Sequence, residues 1–220
     1  MKIKLLLFLF FIFEASANYR VGSGSVYNFA SQDVQNTELS IYITDSSFTN
    51  LGIEYFFSTK SELLPFSMWQ QFQMILEPGK PLHLVDGYLQ TSEMKKPQIM
   101  PKEMLNINQG GVQLSDFLFA AEAELNPYLI GEENIEIPAG SIKAKHYRKT
   151  RDKQTVDFWI SELALPIGLV KLESKGEKPD HNYVIELKNL AENIKKKIDP
   201  IDATALDEEG KKFLQKMNFK

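Results

Sequence analysis

The sequence predicts a mainly β protein with a few helices (α+β), built on an antiparallel sheet. Three observations predict it. Segments of alternating apolar and polar residues recur from Leu39 to Leu190. Short turns rich in Gly, Pro, Asp and Asn separate most of them, and such turns join antiparallel neighbours. One stripe at helical spacing, Leu114, Phe117, Leu118, Ala121 and Leu125, interrupts the series.

The chain opens with a different signal. Lys2 and Lys4 precede an unbroken apolar run, Leu5 to Phe13, and Ala15-Ser16-Ala17 follows with small side chains. That order reads as a signal peptide over residues 1–17, cut between Ala17 and Asn18. The run is too short to cross a bilayer as an anchor. The expectation is a soluble exported protein that does not span the membrane, periplasmic where the host has two membranes. Residues 18–190 then form one curved-sheet domain, and residues 191–220 a charged tail or short helix.

Asn18 to Ser31 is polar and glycine-bearing, a first strand with a loose start. Its glycines are not a dinucleotide fingerprint, because no buried strand precedes them. Leu39, Ile41 and Ile43 alternate with polar neighbours, as a half-buried strand does. Asp45 to Asn50 is a turn, and Ile53, Tyr55 and Phe57 return as the second arm of a hairpin. Leu63 to Leu76 supports two readings. Phe66, Trp69 and Phe72 have near-helical spacing, while Gln71 to Leu76 fits a strand equally well. Glu77 to Pro81 turns the chain into a strand with Leu82 and Leu84. Thr91 to Asn108, with Pro97 and Pro101, reads as a long surface loop.

Ser115 is a fitting N-cap for the helical stripe, and Pro127 ends it; core packing is the plain role of that stripe. Ile135 and Ile137 then open a run of strands. Pro138-Ala139-Gly140 makes a tight turn or bulge between strand ends, Ile142 and Ala144 resume, and Arg148 to Gln154 is a charged turn. Val156, Phe158 and Ile160 share a face. Pro166-Ile167-Gly168 leads into Leu169 to Glu173, and Tyr183, Ile185 and Leu187 complete an antiparallel meander. Past Leu190, Lys195-Lys196-Lys197 and Asp199-Pro200 mark a boundary before a short amphipathic stretch, Ala203 to Met217.

Composition narrows the function. The formal charge is -4, and removal of Lys2, Lys4 and Glu14 with the signal peptide makes it one unit more negative. A mildly acidic chain lacks the basic face that nucleic acid requires. With 43% hydrophobic residues the chain has material for a core. Its lack of cysteine excludes disulfides, thiolate metal sites, cysteine nucleophiles and a lipid-modified cysteine.

The residues Ile135-Glu136-Ile137-Pro138-Ala139-Gly140-Ser141-Ile142, then Asp157-Phe158-Trp159-Ile160-Ser161, then Pro166-Ile167-Gly168-Leu169-Val170, resemble uncharacterised exported bacterial families. The fold of those families is like that of the lipoprotein carriers LolA and LolB. The resemblance covers roughly the last third of the chain. It implies a strongly curved antiparallel sheet, or unclosed β-barrel, with helices covering the concave face. It brings no catalytic residues with it.

No catalytic or metal-binding pattern stands out. His83, His146 and His181 are far apart and in no ligand spacing. His146 reads as a surface or edge residue. There is no nucleophile elbow and no Walker loop, and the acidic pairs Glu132-Glu133 and Asp207-Glu208 suit solvated positions. No metal or other cofactor is expected. The candidate ligand contacts are an apolar lining of Trp69, Phe72, Phe117, Phe119, Phe158 and Ile160, although any one of these equally serves a packed core. Two non-enzymatic functions compete: a carrier or sensor holding a lipid or other hydrophobic molecule in the hollow of the sheet, and an envelope scaffold meeting a protein partner through an edge strand or the 91–108 loop. A hydrolase is a weaker third, for want of a nucleophile and base.

Overall fold

The computed structural model of the chain describes residues 19–31, 37–59, 66–75, 83–105, 122–208 and 210–211. Eleven strands form one sheet: β1 (Gly24–Ser31), β2 (Thr37–Ser46), β3 (Asn50–Thr59), β4 (Phe66–Ile75), β5 (His83–Thr91), β6 (Gln98–Ile99), β7 (Leu129–Ile137), β8 (Gly140–Arg151), β9 (Gln154–Ile160), β10 (Leu169–Gly176) and β11 (Tyr183–Ala191). Their order is β6-β5-β4-β3-β2-β1-β11-β10-β9-β8-β7. Two antiparallel meanders are therefore joined by one long-range pairing, β1 with β11. The sheet stays open, with β6 and β7 at its edges.

A single layer hides its apolar face only by curling. One core cluster draws on both meanders, joining Ile41, Ile43 and Ile53 to Tyr147, Phe158, Leu172 and Ile185. The curl also brings the β7–β8 turn to β11, where the Ala139 amide donates to the Leu187 carbonyl at 3.2 Å. Burial of this kind contributes roughly 25 cal/mol per Å² of apolar surface, and here it substitutes for a second layer. The expected cover of helices is not supported. Among the described residues the α-helices are α1 (Lys102–Leu105) and α2 (Glu122–Leu125), one turn each. The helical stripe from Leu114 lies outside the described residues except for its end in α2. None of the described helices is long and apolar enough to cross a membrane. Residues 1–17, expected from the sequence to be a signal peptide, lie outside the described residues.

Three other expectations change in the structure. Phe66 to Ile75 is a strand, because β3 and β5 pair with it on both sides; near-helical spacing of large side chains yields to a filled ladder. Thr91 to Leu105 is not a plain surface loop: it holds β6 and α1, and Pro97, Gln98 and Met100 are buried. The charged turn after Arg148 shrinks to Asp152-Lys153, with φ of 48° and 63°. Those angles make the two-residue hairpin turn whose twist matches the flanking strands, so β8 runs on to Arg151.

The segment after β11 is the largest departure from the expected tail. It crosses the outer face of the first meander as an extended strap. The Ile194 amide donates to the Gly22 carbonyl at 2.9 Å, and Ile198 is fully buried. At the far edge the Ile99 amide donates to Thr204 at 2.8 Å, and the Thr204 amide donates to Pro97 at 2.9 Å. The strap thus caps the β6 edge, with Gln98 and Thr204 bridged in parallel. The amphipathic stretch beyond residue 211 lies outside the described residues.

Candidate functional site

Directly paired residues of neighbouring strands share a face, so the registers assign every side chain. Phe72 pairs with Ile53, and Ile53 with Ile43. Phe57 pairs with Leu39, Leu39 with Tyr27, and Tyr27 with Leu187. Phe29 pairs with Ile185, Ile185 with Leu172, Leu172 with Phe158, and Phe158 with Tyr147. All of these stand on the inner, apolar face, since strand residues alternate in twos.

The middle of that face is sealed. Tyr27, Ile41, Phe158, Leu172 and Leu187 are fully buried. Tyr27 turns its hydroxyl to the Leu169 carbonyl at 3.0 Å, and burial pushes its phenol well up from 10. One end of the face is less closed. Phe29, Phe57 and Tyr183 are half-buried there, at the end of β1, the end of β3 and the start of β11. Phe29 meets Phe57 edge-on at 6.2 Å and stacks on Tyr183 at 5.9 Å. Tyr55 meets Phe72 edge-on at 5.7 Å, and both are half-buried. Rings in these offset arrangements hold one another and leave apolar surface for a further contact.

Of the residues expected to line a hollow, the structure brings Phe72, Phe158 and Ile160 to this face. Phe158 is wholly packed against Tyr147 at 5.1 Å. Trp69 pairs with Phe56 and stands on the opposite face, stacked on that ring at 4.9 Å. It shares no lining with Phe158. Phe117 and Phe119 lie outside the described residues. Phe57 and Tyr183 read in the sequence as strand residues and Phe29 was not singled out; that the three rings meet was not legible, because each sits near a strand end, where only register reveals its neighbours.

The outer face carries two polar constellations. Tyr42, Glu54 and Gln71 stand side by side on β2, β3 and β4, all buried beneath the strap. Glu54 accepts hydrogen bonds from the Tyr42 hydroxyl, from the backbone amides of Lys197 and Ile198, both at 2.9 Å, and from the Gln71 side-chain amide at 3.4 Å. Gln71 also donates to the Ile198 carbonyl at 3.0 Å. Burial, then the hydrogen bond and charge of Glu54, push the Tyr42 phenol far up, so it stays a neutral donor. This is a structural latch, since every oxygen of Glu54 faces protein donors.

In the second constellation His146 lies flat on Trp159 at 4.3 Å. Its Nε2 is 2.7 Å from Asp157 and its Nδ1 is 3.1 Å from Glu133, which also accepts from the Trp159 indole at 2.7 Å. Arg148 donates to Asp157 at 2.7 Å. Burial alone would raise the Asp157 carboxyl; the hydrogen bonds and charges of Arg148 and His146 outweigh it and hold the carboxyl below 3.8. His146 is thus half-buried on an interior strand, not the edge residue its sequence context implied. Among the described residues no group of three His, Cys, Asp or Glu is placed to hold a metal ion.

No family model matches the sequence, and no curated protein does. Among solved structures, the chain is similar to a hypothetical protein from Chlamydia trachomatis determined at 2.0 Å. The TM-score is 0.37 at 11% identity, over 85% of this chain and 95% of that one.

Proposed function

We propose that this protein is an exported, non-enzymatic binding module that holds a lipid or another hydrophobic ligand on the inner face of its sheet. The observation that supports this best is the half-open aromatic row of Phe29, Phe57 and Tyr183 beside a sealed core. Aromatic rings left partly uncovered in a concave surface bind apolar molecules by area and shape, without needing a polar partner. Export rests on the basic, apolar and small-residue order of residues 1–17, and the resemblance to exported families with a fold like that of the lipoprotein carriers adds an analogy of fold. Native mass spectrometry of the exported protein tests the reading. A copurified lipid is expected, and Phe57→Ser lowers its retention about tenfold while the circular dichroism spectrum stays β-rich. An empty protein that binds no fluorescent fatty acid analogue overturns it.

One observation favours the second reading, an envelope adaptor. Strand β7 is nine residues long and, among the described residues, pairs only with β8. Its neighbours in space leave Leu129 and Ile130 44% and 59% exposed. An open edge of this kind accepts an extended segment of a partner. The 91–108 loop is the poorer docking element, because the strap already holds Gln98 and Ile99. Photocrosslinking from position 130 in cells separates the readings: an adaptor yields a discrete adduct, and a carrier yields none.

A further inference from the structure

Between the β5–β6 connection and the strap lies a cleft of about 270 Å³. Lys95, Lys96 and Pro97 line it from the β5–β6 connection, Lys197, Asp199 and Asp202 from the strap, and Gln90 of β5 lines it as well. Both walls are anchored. The Lys197 amide is held by Glu54 at 2.9 Å, and Pro97 receives the Thr204 amide at 2.9 Å. The three ammonium groups therefore hang from fixed backbone on opposite sides of one space.

Three lysines against two aspartates leave the cleft with a net positive charge. Among the described residues no carboxylate pairs with Lys95, Lys96 or Lys197, although two aspartates share the cleft. Asp199 accepts the Ile201 amide at 3.2 Å, which fixes it as the cap of the turn Pro200–Asp202. Lys197 instead rests its Nζ 5.5 Å from the centre of the Trp69 ring. Lys195 and Lys196, next along the strap, are exposed as well. In a chain of net charge -4 this is a local reversal of sign. Several lysines lining one concavity focus field and favour a compact, multiply charged anion.

We propose that this cleft binds a phosphate group, gripped between Lys95 and Lys96 on one side and Lys197 on the other. The same chemistry serves a free phosphate compound or the headgroup of an anionic phospholipid. Ile201, 91% exposed beside Asp202, is an apolar side chain that only the second source would use. The site is on the outer face and is independent of the aromatic row.

The test uses the full chain carrying Trp159→Phe, which leaves Trp69 as the lone indole of the two. Binding pulls Lys197 off the ring and changes Trp69 emission. Inorganic pyrophosphate is titrated at constant ionic strength, and vesicles of equal parts phosphatidylglycerol and phosphatidylcholine are compared with pure phosphatidylcholine in flotation. For a free phosphate ligand, pyrophosphate saturates the signal, and K95Q/K96Q/K197Q weakens it at least about tenfold. For a headgroup, protein floats with the anionic vesicles alone, and both the triple variant and Ile201→Ser release it. K143Q/K153Q/K175Q, on the second meander, is the charge-matched control and changes neither. The proposal is overturned if neither probe binds, or if the triple variant, folded by circular dichroism, binds as the parent does.

Discussion

The carboxylate of Glu54 accepts the backbone amide of Ile198 at 2.9 Å, across 144 residues of chain. That bond, with its neighbour from Lys197, fastens the strap to the centre of the first meander. It also explains why β2 is buried on both faces at Ile41, Tyr42 and Ile43, where its alternation implied one dry face and one wet one.

Glu54→Ala leaves two strap amides and the Tyr42 hydroxyl without acceptors, so a loss of about 2–4 kcal/mol is expected. Glu54→Gln keeps the shape and costs less. Chemical denaturation measures the loss. Hydrogen exchange at the Lys197 and Ile198 amides should accelerate more than exchange in β9 or β10, which the latch does not touch.

Ile198→Ala removes a fully buried side chain and should cost roughly 2–4 kcal/mol. Because the strap caps β6, the variant should also uncover Gln98 and free the Ile99 amide. Protease cleavage between Thr91 and Leu105 is the direct measure, and an unchanged cleavage pattern would show that the β6 edge holds without its strap.

Asp157 gives a signed pH dependence. Its carboxyl titrates lower in the folded chain than its ordinary 3.8, so the unfolded chain binds the proton more readily. The stabilisation is complete above the unfolded value and is lost as pH falls through the folded one. Asp157→Asn should therefore unfold more easily than the parent at neutral pH. The gap in denaturation midpoints should narrow as pH falls below the ordinary 3.8 and close once it has passed through the lower folded value.

Lys153 holds a left-handed φ of 63° in the β8–β9 turn. Glycine relieves about 1 kcal/mol or more of strain there, against an exposed pair with Glu177 that contributes well under that. Lys153→Gly, combined with Asp152→Asn, should raise the melting temperature by a few degrees.

Gly24 marks the opposite case. A Cβ there would stand 2.3 Å from the Ile41 carbonyl oxygen and 2.5 Å from the Tyr42 Cβ. Backbone does not yield as a flexible side chain does, so Gly24→Ala should lower stability by about 2 kcal/mol or more, read by thermal unfolding.

The β character of the chain and the run of the second meander were legible in the sequence, because period-two alternation and turn chemistry are local properties. Val156 and Phe158, or Tyr183 and Ile185, declare their shared face within a few residues. Tertiary structure decided the rest: that Phe66 to Ile75 pairs as a strand, that Trp69 and Phe72 face opposite ways from the same strand, and that Glu54 is buried. Each depends on what lies across from a residue, and for Glu54 the neighbour arrives from the far end of the chain. Pairing between distant segments leaves no period in either one, so only the folded sheet and its strap could bring the two together.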